Sequence, residues 1–181
     1  MLCVWSLAGE THKCRACICG NFAEADATQS HWTAQAEPST LLAALKMGIV
    51  KGWEASQHDV KGAFLNASIP KGKIVVVSPP PLRVKWGLVP AGTCWTLDKA
   101  VYGLRESPAL WSAERDDKLR KVVIEMGKER YELKQCTSDS QLWFLKSTED
   151  GTIKGLLVVY VDDFLLIAEK GALRSKFVDN L

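Results

Sequence analysis

The sequence lacks an apolar run long enough to cross a membrane, and it lacks a strong excess of either charge. No segment reaches the roughly 18 apolar residues of a membrane span. Residues 1–10 have neither the basic lead nor the full apolar core of a signal peptide. Lysine and arginine total 23 against 21 acidic residues, so a net charge of +2 does not by itself indicate a nucleic-acid-binding protein. We therefore expect an intracellular protein, compartment unspecified, on which any basic surface is local.

Paired zinc-ligand motifs are missing as well. Three of the six cysteines cluster at Cys14, Cys17 and Cys19, but no second ligand set follows at the spacing of a zinc site. A chain of 181 residues with 47% hydrophobic content can bury a core without disulfides, which favours reduced thiols. Small buried cysteines within a strand are therefore preferred over a metal site.

The sequence does contain two adjacent carboxylates inside an apolar run. Asp162 and Asp163 lie near the middle of residues 155–168, which are otherwise uncharged and rich in Val and Leu. This composition predicts buried β-structure. The simplest geometry is a hairpin with one strand ending near Tyr160, a tight connection at positions 161–163, and a return strand to Ala168. Both acids then lie at the hairpin tip.

Buried carboxylates are costly unless something neutralises their charge. Hard cations such as Mg²⁺ prefer carboxylate oxygens and retain several waters, which suits a site shared with a phosphate-bearing substrate. A third carboxylate, Asp59, follows an alternating stretch and precedes a turn of small residues. Three carboxylates on two separate strands could hold two divalent cations ~4 Å apart for displacement at phosphorus. The alternative is a plain Asp-Asp turn between buried strands, since Asp is common in turns.

The remaining pattern predicts an α+β fold. A helix is expected from Pro38 to Gly52, capped by Ser39 or Thr40, and a longer helix from Ser107 to Gly127. Strands are expected in the β-branched and apolar runs, and Asp150-Gly151 favours a hairpin turn between the last two strands before the Asp pair. Antiparallel strands with segregated helices are typical of α+β domains.

Three motifs in order resemble a known family. Residues 160–163, Tyr-Val-Asp-Asp between apolar strands, resemble the catalytic box of reverse transcriptases. Residues 59–66, Asp-Val-Lys-Gly-Ala-Phe-Leu-Asn, resemble the earlier box of copia-type long-terminal-repeat retrotransposon enzymes. Residues 99–111, with Lys99, Tyr-Gly-Leu and Pro-Ala-Leu-Trp, are similar to a third segment of those enzymes. The resemblance also reaches Lys13-Cys-Arg15 and covers nearly the whole chain.

The resemblance implies an RNA-directed DNA polymerase domain of a Pol polyprotein. Its fold would be a polymerase palm, an antiparallel sheet packed on helices, with partial fingers and no thumb. Residues 59–65 and 101–181 would be mainly palm, and residues 1–58 and 66–100 mainly fingers-like and connecting. The expected partners are an RNA or DNA template-primer and deoxynucleoside triphosphates, with no membrane. The thumb and ribonuclease H regions of the parent polyprotein would lie beyond Leu181.

The family also implies roles for individual residues. Asp59, Asp162 and Asp163 would be the catalytic carboxylates and would bind two Mg²⁺ ions, for which Mn²⁺ could substitute. The nucleotide would contact two basic residues of the fingers, Lys13 and Arg15, and the aromatic Phe64, which would block a ribose 2′-hydroxyl. Tyr102 and Gly103 would form the segment beneath the new base pair. Primer and template would lie near Tyr160, Val161 and Arg105. The alternatives are a core aromatic for Phe64 and solvated strand charges for Lys13 and Arg15.

The sequence departs from the family pattern at several positions. Arg105 and Glu106 stand where lysine and glutamine are common, Gly62 replaces a threonine, and Ala67-Ser68 replaces a glycine-acid pair. These changes bear on template affinity more than on the metal site. Because the thumb would lie beyond Leu181, we expect Mg²⁺ and nucleotide binding but poor primer extension by this chain alone. Two other interpretations stay open: a catalytically inactive nucleic-acid-binding remnant, and a different two-metal nucleotidyltransferase with palm-like geometry.

Overall fold

The computed structural model describes residues 2–8, 11–20 and 33–180, with the backbone alone for 2–8 and 11–15. The chain forms two compact units. One comprises Met1–Trp32 and Gly62–Glu114, and the other comprises Thr33–Lys61 and Arg115–Leu181. Below they are named the first and the second unit. No helix in the described ranges is both long and apolar enough to cross a bilayer.

Helices and antiparallel strands alternate irregularly along the chain, which confirms the predicted α+β class. In chain order the elements are β1 (Leu2–Ala8), β2 (Thr11–Cys17), α1 (Pro38–Lys51), β3 (Glu54–Asp59), α2 (Ala63–Asn66), β4 (Val76–Val77), α3 (Pro81–Lys85), β5 (Trp95–Thr96), α4 (Ser107–Lys121), β6 (Val123–Met126), β7 (Glu129–Gln135), β8 (Leu142–Ser147), β9 (Ile153–Tyr160), β10 (Asp163–Ala168) and α5 (Ala172–Asp179).

The second unit is built on a six-stranded antiparallel sheet with the strand order β3-β10-β9-β8-β7-β6. Its central strands β9 and β10 bury nine of their fourteen residues, which explains their continuous apolar sequence. One face packs a large core that includes Phe164 and Leu166 of β10, Leu119 of α4 and Phe177 of α5. The other face packs a smaller core around Leu156, Val158 and Ile167, which α1 covers.

Helix α1 reaches the sheet through its small residues. Ala44 and Gly48 are its buried positions, and a Cβ built at Gly48 would lie 2.5 Å from Cγ2 of Ile167. The larger side chains Leu42 and Ile49 are exposed in this chain. The predicted end at Gly52 is confirmed, since Gly52 is the C-cap with φ of 66°.

The cap of α1 comes from a distant segment, so the predicted capping by Ser39 or Thr40 was wrong. The N-cap residue is Glu37, which makes no side-chain cap of its own. Instead Asp139 accepts a hydrogen bond from the Glu37 amide at 3.2 Å and another from the Gln141 amide at 2.9 Å. Burial raises the pKa of Asp139, but hydrogen bonds from Thr40 and these amides outweigh it and lower the pKa below its usual value.

The predicted helix from Ser107 to Gly127 was too long. Helix α4 ends at Lys121, and the next residues form β6, which pairs with β7 around Gly127. The run Val122-Val123-Ile124 is β-branched and suits a strand, although its spacing also continues the helical pattern. At the start of α4, Ser107 is buried and its Oγ donates to the carbonyl of Val101 at 2.6 Å.

The first unit contains two small sheets. Strands β1 and β2 pair antiparallel with Leu2 opposite Cys17, and β4 pairs with β5. The polyproline segment before α3 contains buried Pro79 and Pro80, and Pro81 begins the helix. Proline at the first position of a helix is favoured because its missing N–H would be unpaired there.

Candidate active site

The hairpin that carries Asp162 and Asp163 forms as predicted. Strand β9 ends at Tyr160, the turn consists of Val161 and Asp162, and β10 begins at Asp163 opposite Tyr160. Strand β3 lies on the other side of β10, with Asp59 directly opposite Asp163. The Val60 amide donates to the Asp162 carbonyl at 3.0 Å and continues this pairing past the end of β3. The three carboxylates therefore belong to one end of three adjacent strands.

The turn itself is strained. Val161 has φ of 55°, and no other non-glycine residue in the described part of the chain has a positive φ. A positive φ at the first central position alone is the pattern of a type II′ turn, which favours glycine there. A β-branched residue in this region costs about 1–3 kcal/mol, and such strain persists only where the surrounding structure enforces it. The turn is thus held in place by its neighbours.

The pairing also places Asp59 and Asp163, two like charges, directly opposite each other. Like charges at directly opposed positions of neighbouring strands repel each other, since their Cβ atoms lie about 4.5–5.5 Å apart. The Asp163 carboxylate is partly satisfied by Gln57, whose Nε2 donates to Oδ1 at 3.0 Å from the same face of the sheet. Asp59 is exposed, and Asp162 and Asp163 are half-buried.

The chemistry of these donors fits a hard divalent cation, because all three are carboxylates on adjoining backbone positions. Their side chains do not yet converge: within residues 2–8, 11–20 and 33–180, no group of three or more His, Cys, Asp or Glu residues stands close enough to hold a metal ion. The donor chemistry therefore suits such an ion, but these side chains do not form its ligand set in the described conformation, in which Asp163 accepts from Gln57.

An open cavity of about 370 Å³ lies beside Asp163. Its lining is mainly apolar, and only a few polar groups reach it. Tyr160 lies at this cavity and is half-exposed at 50%, with its hydroxyl donating to the side chain of Gln35 at 3.3 Å. The lining residues are Ala36, Pro38, Leu41, Gln57, Val158, Tyr160, Asp163 and Leu165. Asp163 is therefore accessible from this face of the sheet.

A buried arginine supports the hairpin from the opposite side, and the sequence analysis did not single it out. Arg115 is only 2% exposed, and its Nη1 donates to the carbonyl of Val161 at 3.4 Å. The same guanidinium donates to Asp116 and Gln141. The signal in the sequence was a charged residue in the apolar stripe of α4, between Trp111 and Leu119.

The first unit brings together two of the predicted nucleotide contacts. The rings of Phe64 and Tyr102 pack edge to face, with centroids 5.2 Å apart and planes at 66°. Both side chains are half-buried. Such a pair contributes about 0.5–1.5 kcal/mol beyond its buried area, so each ring fixes the orientation of the other.

Gly103 makes a close approach to its own chain. It has φ of 85°, and a Cβ there would lie 2.0 Å from the carbonyl oxygen of Ile18. The Ile18 amide donates to the carbonyl of Tyr102 at 2.8 Å, which fastens the two segments. Gly20 is equally close, since its Cβ would lie 2.2 Å from the Gly103 oxygen. Glycine at position 103 is therefore required by internal packing.

The remaining predicted contacts are charged. Lys13 and Arg15 lie in β2, opposite Ser6 and Val4, but their side chains lie outside the described part of the structure. Arg105 is half-buried. Glu106 accepts from Nζ of Lys73 at 2.5 Å, so its charge is balanced within the first unit.

Comparisons with known proteins give one family. The reverse transcriptase (RNA-dependent DNA polymerase) family matches residues 11–180. The chain is 30% identical over 137 residues to a retrovirus-related Pol polyprotein from transposon RE1 of Arabidopsis thaliana. This match covers 76% of the chain and 8% of the length of that polyprotein. No solved structure matches the chain.

Proposed function

Because the chain belongs to the reverse transcriptase family, as a copia-type domain of a retrotransposon Pol polyprotein, we propose that it adds deoxynucleotides to a primer 3′ end on an RNA or DNA template. The observation that carries this proposal is the pairing of Asp59 with Asp163 beside Asp162 on a strained turn. Strained backbone and opposed like charges both cost stability, which favours a functional reason for them.

In the second unit, Asp59, Asp162 and Asp163 would hold two divalent cations, Mg²⁺ or Mn²⁺. When bound, these cations would supply Lewis-acid activation of the primer hydroxyl and neutralisation of the triphosphate charge. Gln57 would release the Asp163 carboxylate from its 3.0 Å hydrogen bond. Tyr160 and Val161 would lie beside the primer end. We propose that residues 59–65 and 101–181 are mainly palm, with β3 joining the palm sheet, and that the fingers-like and connecting segments lie mainly within residues 1–58 and 66–100.

In the first unit, Phe64 would exclude a ribose 2′-hydroxyl by steric contact, and its packing on Tyr102 supports a fixed ring position. Tyr102 and Gly103 would lie beneath the new base pair, with Arg105 near the template. Lys13 and Arg15 would contact the triphosphate, as charged groups often do in phosphate sites.

Charge distribution supports a nucleic-acid partner. Residues 60–97 contain five basic residues and no acidic one, although the whole chain carries a net charge of only +2. Arg83 and Lys85 are exposed on α3, and Trp86 directly after it is 63% exposed. Cations that contact phosphates beside an aromatic that stacks on bases are the features with which proteins bind single strands. We propose that this segment contacts the template strand.

Single-nucleotide addition tests the proposed activity. The chain is mixed with a DNA primer annealed to an RNA template, one complementary deoxynucleoside triphosphate and Mg²⁺, and extension by one nucleotide is measured. Asp163→Asn should lower the rate by about 100-fold or more, because several kcal/mol of charge stabilisation is lost and each 1.4 kcal/mol is tenfold. Asp150→Asn is the matched control, because Asp150 is an exposed turn residue of the same sheet.

The outcomes separate the two candidate functions. Equal rates for the Asp163→Asn and Asp150→Asn variants would contradict the assignment of the carboxylates. Template binding without any incorporation by the unmodified chain would favour the inactive nucleic-acid-binding remnant. Incorporation with equal rates for ribonucleotides and deoxynucleotides would contradict the proposed role of Phe64.

A further inference from the structure

The arginine beneath the catalytic turn has a geometry that ordinary core packing does not explain. Arg115 is 2% exposed, and a buried guanidinium is expensive unless its donors are paired. Its Nε and Nη2 donate to Oδ1 of Asp116 at 2.9 and 2.8 Å, and Nη2 also donates to Oε1 of Gln141 at 3.0 Å. These partners fix the plane of the guanidinium.

The third side of this fixed guanidinium faces the turn. Nη1 donates to the carbonyl oxygen of Val161 at 3.4 Å. Val161 is the residue with φ of 55°, and its carbonyl belongs to the peptide that leads into Asp162. Because arginine presents its donors in a rigid planar fork, anchoring two sides of the group determines where the third side points. The anchored arginine therefore acts on the strained peptide itself.

The anchors are themselves held. Asp116 accepts from Nε2 of Gln135 at 3.2 Å through its second oxygen. The main-chain carbonyl of Gln141, which is 3% exposed, accepts from the amide of Val159 in β9 at 2.9 Å. The network thus connects α4, β7 and β9 to the hairpin tip, and no partner in it belongs to the proposed cation ligands.

We propose that Arg115 is a positioning residue that holds the Val161–Asp162 peptide in its strained conformation and so sets the direction of the Asp162 and Asp163 carboxylates. It touches neither substrate nor cation in this role. The proposal rests on the function proposed above, but its structural half does not require polymerase activity.

Hydrogen exchange tests that structural half. The amide of Val60 donates to the Asp162 carbonyl and so reports the position of the turn, whereas the amide of Thr148, which donates to Arg130 at 2.9 Å, reports a distant part of the same sheet. Arg115→Met should speed exchange at Val60 about tenfold, the effect expected for losing a hydrogen bond from a charged group, and leave Thr148 nearly unchanged.

Arg120→Met is the matched control. Arg120 lies on the same helix and donates to Gln135 at 2.8 Å, and its guanidinium stands 5.8 Å from the centre of the Trp143 ring. Neither of these neighbours is in the turn. This variant should leave exchange at Val60 unchanged. Equal acceleration at Val60 and Thr148 in Arg115→Met, or no acceleration at Val60, would overturn the proposal.

A second readout concerns the cation. Arg115→Met should weaken Mn²⁺ binding about tenfold, as loss of groups that orient metal ligands does, while Arg120→Met should not. A chain that binds no Mn²⁺ contradicts the proposed function and leaves the exchange test to decide the role of Arg115. If Arg115→Met does not fold, Asp116→Asn replaces it, because this change leaves Arg115 in place and weakens the charged anchor of its guanidinium. Unchanged exchange at Val60 in Asp116→Asn then overturns the proposal.

Discussion

Replacing Gly103 with alanine tests whether this glycine is required by internal packing. An alanine at φ of 85° has the strain of the left-handed region, about 1–2 kcal/mol. Its Cβ would also lie 2.0 Å from the Ile18 oxygen, so the two segments must separate by more than 1 Å to reach ordinary contact. Separation weakens the hydrogen bond from Ile18 to Tyr102, which contributes about 1 kcal/mol.

The free energy of unfolding should therefore fall by about 3–5 kcal/mol in Gly103→Ala, the sum of strain, overpacking and a lost hydrogen bond. Gly92→Ala is the control, because Gly92 has φ of 80° but nothing within 4 Å of a Cβ, so it should lose only about 1–2 kcal/mol. Urea unfolding followed by tryptophan fluorescence measures both, and exchange of the Ile18 amide should accelerate in Gly103→Ala alone. Equal losses in the two variants would refute the steric argument.

Three further predictions concern other parts of the chain. Asp139→Ala should lower the free energy of unfolding by about 1–2 kcal/mol through loss of the α1 cap. Because the pKa of Asp139 is lowered in the folded state, its contribution to stability is present above pH 3.8 and disappears as the pH falls through the folded pKa. Urea unfolding of the variant should therefore depend less on acid pH. The hydrogen bond to Glu129 raises the pKa of Tyr131 from 10.0 to about 12. Absorbance at high pH should therefore show a late-titrating tyrosine that is absent in Tyr131→Phe. The free energy of unfolding should fall between these two pH values, because the unfolded tyrosine loses its proton first. The double variant Arg83→Ala with Lys85→Ala should bind single-stranded RNA about tenfold more weakly, and the slope of log affinity against log salt concentration should fall by about two. The control, Lys128→Ala with Arg130→Ala, makes the same charge change in exposed residues of the β6–β7 hairpin and should leave RNA binding unchanged.

Local sequence signals predicted the parts of the fold that depend on neighbouring residues. The hairpin at Asp162 and Asp163 was predicted because two apolar runs flank two turn residues, and α1 was predicted to end at its glycine. The end of α4 was missed, since Val122 and Val123 satisfy both the helical spacing and the preference of β-branched residues for strands. Competing local signals of this kind are resolved only by the strand that β6 pairs with.

Long-range partners were not predictable in the same way. The cap of α1 by Asp139 joins residues 102 positions apart, and the hydrogen bond from Arg115 to Val161 joins residues 46 positions apart. Asp59 was expected to join the Asp pair, but its register opposite Asp163 rather than Asp162 depends on how β3 and β10 pair. Bulk charge also concealed the acid-free basic segment at residues 60–97, because acids elsewhere in the chain balance it.

Cation binding tests the central claim most directly. Titration of the chain with Mn²⁺, followed by electron paramagnetic resonance of the free ion, should give two bound ions per chain in the presence of template-primer and nucleotide. Asp59→Asn, Asp162→Asn and Asp163→Asn should each remove or weaken both sites, and Asp150→Asn should leave them unchanged. Mn²⁺ binding that is equal in all four variants and the unmodified chain would contradict the claim that these three carboxylates form the metal centre.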